Sequence, residues 1–413
     1  MLYPCYKNLL INLFILSRLG ASGDYFIFAA SFEQGSAASI GVLASSFNRV
    51  DLHEMAAEIG VFTFNFNEQS MIDEGAKLIR NIWVYQHHKW TKMAQAPLPT
   101  VFYDFGFYSK KNKDKKLLGH QLREKILALG SRPINPPEAM KLVRNKLKFS
   151  ALMDEFQLMH PETIKYSDSS LSKFVDQHSF VFLKPVRGSK GDGIVEIRKD
   201  AGTYVISYQI KKLNVWHERR IHCPEDSLVK NVHLAFEELK QDDKEYLVQK
   251  GVPVLLFNRM RTDFRVSTHR TGTGEAEVVA LIVRLGGNIS QAGQIASAEE
   301  VLANFEEQLG FSSEDLERKI DTLALLVFRA IEEKAGLPIG ELGLDFVISE
   351  QGEVYIIEAN DKPGYRTPKI GRFINENAYR QSAMGAARRN LSLIEYARYL
   401  SLGSSPRNRK LND

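Results

Sequence analysis

The chain has 413 residues, 44% hydrophobic and 25% charged, and its 54 Lys and Arg against 50 Asp and Glu leave a formal net charge of +4. That composition excludes a fibrous or disordered chain, and the length exceeds one ordinary domain, so two or three units are expected. The small charge excess argues against a nucleic-acid surface, while two cysteines, Cys5 and Cys223, exclude a disulfide framework and suit a reduced, cytosolic compartment.

In chain order, the apolar run Leu9 to Leu16 is too short to cross a membrane and reads as a buried strand or helix rather than a signal segment. Residues 1–38 are set aside as an N-terminal extension. Ser39 to Ser45 and Gly60 to Phe66 read as strands flanking a helix that stops at Gly60. Pro97 to Gly106 predicts another strand and Gly119 to Gly130 a helix, so an α/β domain is expected over 39–135. The lysine-rich run Ser109 to Lys116 is interrupted by Asn112 and Asp114 and reads as a solvated loop.

Ser131 to Pro137 is turn-rich and marks a boundary. One helix is expected over Glu138 to Phe156. The strands "FVFLKP", "GIVEIRK", "TYVISYQI", "EYLVQKG", "DFRVSTHR" and "AEVVALIVRL" follow. They predict a mainly antiparallel second domain over 136–400, in two parts, 136–250 and 251–400. A capped helix opens near Ser312 and stops at Gly336, a polar-faced helix runs from Glu376 to Leu400, and residues 401–413 form a tail.

Between those last helices, "GLDFVISEQGEVYIIEAN" reads as a hairpin with a two-residue loop at Gln351-Gly352, which places Asp345 opposite Glu358. Asn360 shares the face of Glu358 because side chains alternate along a strand. Facing carboxylates repel unless a cation lies between them. Two carboxylates and an amide oxygen suit Mg²⁺, which commonly takes its remaining ligands from phosphates, so a nucleotide is the expected partner. A second motif supports that. Lys184 ends a buried-looking strand and is followed by Gly188, Ser189, Gly191 and Gly193, a loop whose bare backbone can approach an anion. The loop matches neither a P-loop nor a dinucleotide fingerprint, since the strand "IVEI" follows it; a glycine-rich hairpin over a nucleotide is what remains. A zinc site from His217, His222 and Cys223 has loose spacing and only three candidate ligands.

The ordered set of Lys146 in "RNKLKFSALM", Lys184 with its glycine loop, "EYLVQKGV", and then Asp345, Glu358 and Asn360 resembles an ATP-grasp ligase. More narrowly, "HHKWTKMAQAPLPTVFYDFG", "TDFRV" and "GNISQAG" resemble the endospore-coat-associated branch of that superfamily, over roughly residues 80 to 400. The resemblance implies an α/β pre-grasp domain followed by an ATP-grasp fold, α+β in each of two subdomains clasping ATP. It implies that Lys146 and Lys184 contact the phosphates. The backbone of Gln249, Lys250 and Val252 would bind adenine, and Asp263 the ribose. Asp345, Glu358 and Asn360 would hold two Mg²⁺ ions, with Asn288 near the transferring phosphate. Arg284, or Arg265, would neutralise the charge that develops during transfer. Two positions depart from the pattern: Gly343 stands where some grasp ligases carry an arginine, and Phe105 where the branch often has one.

The expected activity is ADP-forming carboxylate-amine ligation through an acyl phosphate, acting on a small-molecule or peptide carboxylate and an amine. The rival reading is a spore-coat-associated binder without turnover. Neither nucleic acid nor membrane is expected as a partner, the location is cytoplasmic or spore-associated, and a homodimer is left open.

Overall fold

The computed structural model describes residues 39–44, 49–106, 113–188, 191–213, 215–241, 243–286, 292–363 and 373–402, which form three sheets with helices packed on them. In the first sheet β1 (Ser39–Ala44) and β2 (Phe62–Phe66) run parallel and are joined through α1 (Val50–Glu58). Gly60, at φ +72, makes the left-handed exit from α1 that the sequence pattern implied. Next come β3 (Met71–Asp73), β4 (Leu78–Gln86) and β5 (Lys89–Pro97). The β4-β5 hairpin escaped sequence reading because its two left-handed turn residues are His87 and His88, at φ 49 and 59, instead of Asn-Gly. β6 (Val101–Gly106) lies parallel to β1, and after α2 (Lys113–Ala128) the short β7 (Arg132–Pro133) completes the order β3-β4-β2-β1-β6-β7. The loop expected over the lysine-rich run is corrected in part: its last four residues open α2, and 109–112 lie outside the described residues.

The single helix expected over Glu138 to Phe156 is two, α3 (Pro137–Val143) and α4 (Lys146–Glu155). Asn145 separates them: its backbone is extended and its side chain accepts the Lys148 N–H, an N-cap that makes Lys146 the first residue of a new helix.

The second sheet contains β8 (Thr163–Lys165), β9 (Phe180–Pro185), β10 (Val195–Asp200), β11 (Thr203–Lys212), β12 (Val215–Pro224) and β13 (Tyr246–Lys250), in the all-antiparallel order β12-β11-β10-β9-β13-β8. α5 (Asp168–His178) and α6 (Leu228–Leu239) bury Phe174, Val232 and Phe236 against Val181, Leu183 and Ile206 on one face. By strand alternation the opposite face carries Phe180, Phe182, Lys184, Glu196 and Gln249.

The third sheet contains β14 (Leu256–Phe257), β15 (Met260–Arg270), β16 (Ala276–Gly286), β17 (Ala292–Ala296), β18 (Glu341–Ile348) and β19 (Val354–Asn360). Its order is β17-β16-β15-β18-β19, antiparallel throughout, with β14 on β15. α7 (Ala298–Leu309) and α8 (Ser313–Ala335) cover one face, packing Phe305 and Phe328 on Phe264, Leu344 and Phe346. Ser312 caps α8 by accepting the Asp315 N–H, and Gly336 ends it at φ 65. α9 (Glu376–Leu402) contributes Leu391, Ile394 and Tyr396 to the core of the first sheet, with Ile40, Val42 and Val101.

Where the first sheet, the third sheet and α9 meet, a polar layer is buried. The Tyr103 hydroxyl donates to Glu341, His269 lies 3.7 Å from the same carboxylate, and Arg49 donates to Asn390 at 2.6 Å. Burial pushes the Glu341 carboxyl up to about 7, against the pull of Arg49 and of the Tyr103 hydroxyl. The folded chain therefore holds a proton there between the unfolded value, 4.5, and about 7, and loses stability as the pH rises through that window. Glu341→Gln should remove this loss, by up to about 3 kcal/mol, and flatten the difference in urea-unfolding free energy between pH 5 and pH 8. An unchanged difference in the variant contradicts the assignment.

Candidate active site

The third sheet's uncovered face presents a row of charges. Asp263 on β15 pairs with Arg284 on β16; Arg265 pairs with Asp345 on β18, and Asp345 with Glu358 on β19; Gly343 pairs with Asn360. Directly paired residues share a face, so these side chains converge. Arg265 grips Asp345 with two bonds, one from Nη2 to Oδ2 at 2.8 Å and one from Nε to Oδ1. Arg284 Nη2 stands 3.1 Å from the same carboxylate while also holding Asp263. Asn360 Nδ2 lies 3.3 Å from Glu358 Oε1 and 3.5 Å from Asp345 Oδ2. Burial alone would raise the Asp345 carboxyl, but the two guanidiniums outweigh it and hold it well below the usual carboxylate range.

The facing of Asp345 and Glu358 agrees with the sequence, yet the turn differs from the one expected. Ile348 pairs with Val354, and the Ser349 N–H reaches Glu353 O at 2.9 Å. The loop is therefore Glu350 to Gly352, three residues, with Gly352 at φ +76. A register shift between Asp345 and Phe346 leaves Ile357 as an extra residue on β19. The two one-residue displacements cancel, which restores the pairing.

Gly343 has a steric cause. A Cβ there would lie 2.7 Å from Pro363 Cβ and 3.5 Å from Arg265 Cδ, and Arg265 on the neighbouring strand places its guanidinium on Asp345. Beside Phe105, Asp104 pairs with Arg123 Nε of α2 at 2.7 Å.

Across the cleft, Lys184 Nζ donates to Gln249 Oε1 at 2.6 Å, and Gln249 donates to Thr163 Oγ1 at 3.0 Å. Lys146 Nζ donates to the Gly188 carbonyl at 3.0 Å, joining α4 to the glycine loop. Gly191 and Gly193 have φ +70 and +81, the latter under the Tyr246 hydroxyl, which donates to its carbonyl. Lys250 and Gly251 spend their N–H groups on Glu162 O and Phe180 O, and Val252 follows them. Ser189 and Asn288 lie outside the described residues. Burial lowers the Lys184 ammonium to about 8, although Glu358 and Asp345 pull the other way.

Lys146, Lys184 and Gln249 line one small cavity with Ile356, Phe149 and His160. The last two were missed. His160 is fixed by Asp154 at 2.8 Å, and a lone histidine before Pro161 gave no sequence signal. Among the described residues no group of three His, Cys, Asp or Glu could hold a metal. The set present is two carboxylates and an amide, which fits a hard divalent ion once Arg265 yields. The zinc alternative fails, because His222 faces away from His217 and Cys223 on β12.

Two antiparallel α+β lobes, one bearing lysines and a glycine loop and the other paired carboxylates, define the ATP-grasp class. Residues 141–400 match the family described as YheC/D like ATP-grasp, and the chain belongs to it. It is 25% identical to endospore coat-associated protein YheD of Bacillus subtilis strain 168, over 85% of this chain and 73% of that one. To YheC of the same organism it is 22% identical, over 77% and 85%. To the tetrahydromethanopterin:alpha-L-glutamate ligase of Methanocaldococcus jannaschii it is 25% identical, over 56% and 62%.

Because the buried Asp345 is the counter-ion of two partly buried guanidiniums, Asp345→Asn should destabilise the ligand-free chain by about 3 kcal/mol in urea unfolding. Glu358→Gln should change it by less than about 1 kcal/mol. Equal effects of the two contradict the pairing.

Proposed function

We propose that the chain is an ATP-dependent ligase that activates a substrate carboxylate as an acyl phosphate for attack by an amine. A carboxylate oxygen attacks the γ-phosphorus of ATP and ADP leaves; the amine then attacks the acyl carbon, phosphate departs, and the amine loses a proton. The observation that carries this is that Lys184, which lines one cavity with Lys146, lies within electrostatic reach of Glu358 and Asp345, paired on the other sheet, with Asn360 one step along the same strand.

In this reading Lys146 and Lys184 hold phosphate oxygens, and the hinge from Gln249 to Val252 receives the adenine. Asp345, Glu358 and Asn360 hold Mg²⁺, which neutralises phosphate charge when bound. Arg265 and Arg284 are the internal counter-ions of the carboxylates in the ligand-free chain. Once those carboxylates turn to the metal, the two guanidiniums are available to charge developing at the acyl centre. Asp263, held by Arg284, is assigned to orienting that arginine ahead of the ribose contact inferred from the resemblance. Positioning and charge neutralisation suffice without a protein nucleophile.

Non-catalytic nucleotide binding is the second reading, and the coat-associated description of the two Bacillus relatives favours it. Among the described residues no helix is long and apolar enough to cross a membrane.

Purified protein with MgATP and a cell extract, followed by mass spectrometry, should show a product whose mass equals acid plus amine less water, with ADP and phosphate. Glu358→Gln should abolish it. MgATP binding with no consumption across the extract pool would favour the silent binder. Phosphates favour the charged ammonium, so binding should draw a proton onto Lys184, and MgATP affinity should weaken as pH rises through about 8. Calorimetric titrations at pH 7 and pH 9 check this, and equal affinities count against Lys184 as a phosphate ligand.

A further inference from the structure

The connection from the hinge to β15, residues 253–262, takes no part in the site described so far. Its first half is pinned to the turn of the metal hairpin: Leu255 N–H donates to Ile348 O at 3.0 Å, Glu350 N–H donates to Pro253 O at 3.1 Å, and Val254 bridges to Ser349. Asn258 and Arg259, at φ 52 and 61, then make a two-residue reversal from β14 into β15. The reversal sends Arg261 back to the other lobe, where its Nη1 stands 3.0 Å from Glu196 Oε2.

Glu196 belongs to β10 and its side chain is only 9% exposed, so its charge needs partners. Its other oxygen takes Arg198 Nε at 2.7 Å. The Arg198 guanidinium lies 3.6 Å from the Phe180 ring centroid and that of Arg261 5.8 Å from it. Phe180 in turn presses on the hinge: a Cβ at Gly251 would lie 2.4 Å from its ring. Hinge glycine, aromatic ring, two guanidiniums and one carboxylate thus form a continuous stack beside the point where the lobes join.

We infer that the Arg261–Glu196 pair is a latch that holds the two lobes closed on the nucleotide and sets how fast it leaves. This rests on the nucleotide reading proposed above. Arg261 and Glu196 are positioning residues and touch no reacting atom. The cavity that Lys146, Lys184 and Gln249 line is about 10 Å³, room for about one water, so seating a nucleotide phosphate there requires the lobes to move apart. Parting them breaks a charge-assisted bond and leaves the buried Glu196 carboxylate with one guanidinium fewer, and that resistance slows opening.

The test uses the full chain, Mg²⁺ and N-methylanthraniloyl-ATP, with release followed by stopped flow after addition of excess unlabelled ATP. Arg261→Met and Glu196→Gln should each speed release about tenfold, the double variant should be no faster than the faster single one, and Arg261→Lys should restore most of the slow release. Unchanged release, or two effects that multiply in the double variant, overturns the latch. Amide exchange over residues 249–257 without nucleotide gives a second readout, expected to rise in Arg261→Met. Wild type that binds no labelled ATP while exchange still rises in the variant removes the nucleotide reading and keeps the latch. Wild type that binds, with release and exchange both untouched by Arg261→Met, removes the latch and keeps the reading.

Discussion

The Asp345 carboxylate sits between two guanidiniums, and much of the site follows from that constraint. Its side chain is 6% exposed, so an unpaired negative charge there would be costly. Arg265 and Arg284 remove that cost in the ligand-free chain, and they come from the two strands beyond Asp345 on the same face. Asp345 is therefore neutralised before any ligand arrives. In the proposed function a divalent ion between Asp345 and Glu358 would take the place of the two guanidiniums that Asp345 holds in the ligand-free chain, leaving them available to bound phosphates. The ligand-free ion pairs and the proposed catalytic roles are therefore two states of the same four or five side chains.

How much of this was legible depended on whether a residue's neighbours were close in sequence. The hairpin pairing of Asp345 with Glu358 was readable because counting from a Gly turn is local, although it came out right through a bulge at Ile357 that cancelled a turn one residue longer than assumed. The antiparallel strands of both lobes were readable from alternation, and the cap on α8 from its Ser and Gly. β12 was missed because an edge strand buries little and "VWHERRIH" carries no apolar alternation. The break between α3 and α4 was missed because one Asn inside a helical pattern is a weak signal until its cap bond is seen.

The site's non-local half was not readable at all. Nothing near Gly343 says that Pro363 fills its side-chain space or that Arg265 reaches over it from another strand. Nothing near Phe105 says that Arg123, a helix away, reaches Asp104. Both absences are departures legible in the sequence, and the three-dimensional arrangement places an arginine near each: Arg265 beside Gly343 and Arg123 on Asp104. Glu196 and Arg261 follow the same rule: 65 residues apart, they meet only because the lobes fold toward each other.

The central claim is that a divalent ion displaces Arg265 from Asp345. A crystal grown with Mn²⁺ and a non-hydrolysable ATP analogue measures it through the anomalous signal of manganese. The account predicts peaks within ligand distance of Asp345, Glu358 and Asn360, with Arg265 no longer bidentate on Asp345. A manganese peak elsewhere, or Asp345 still gripped by Arg265 with the analogue bound, would contradict it.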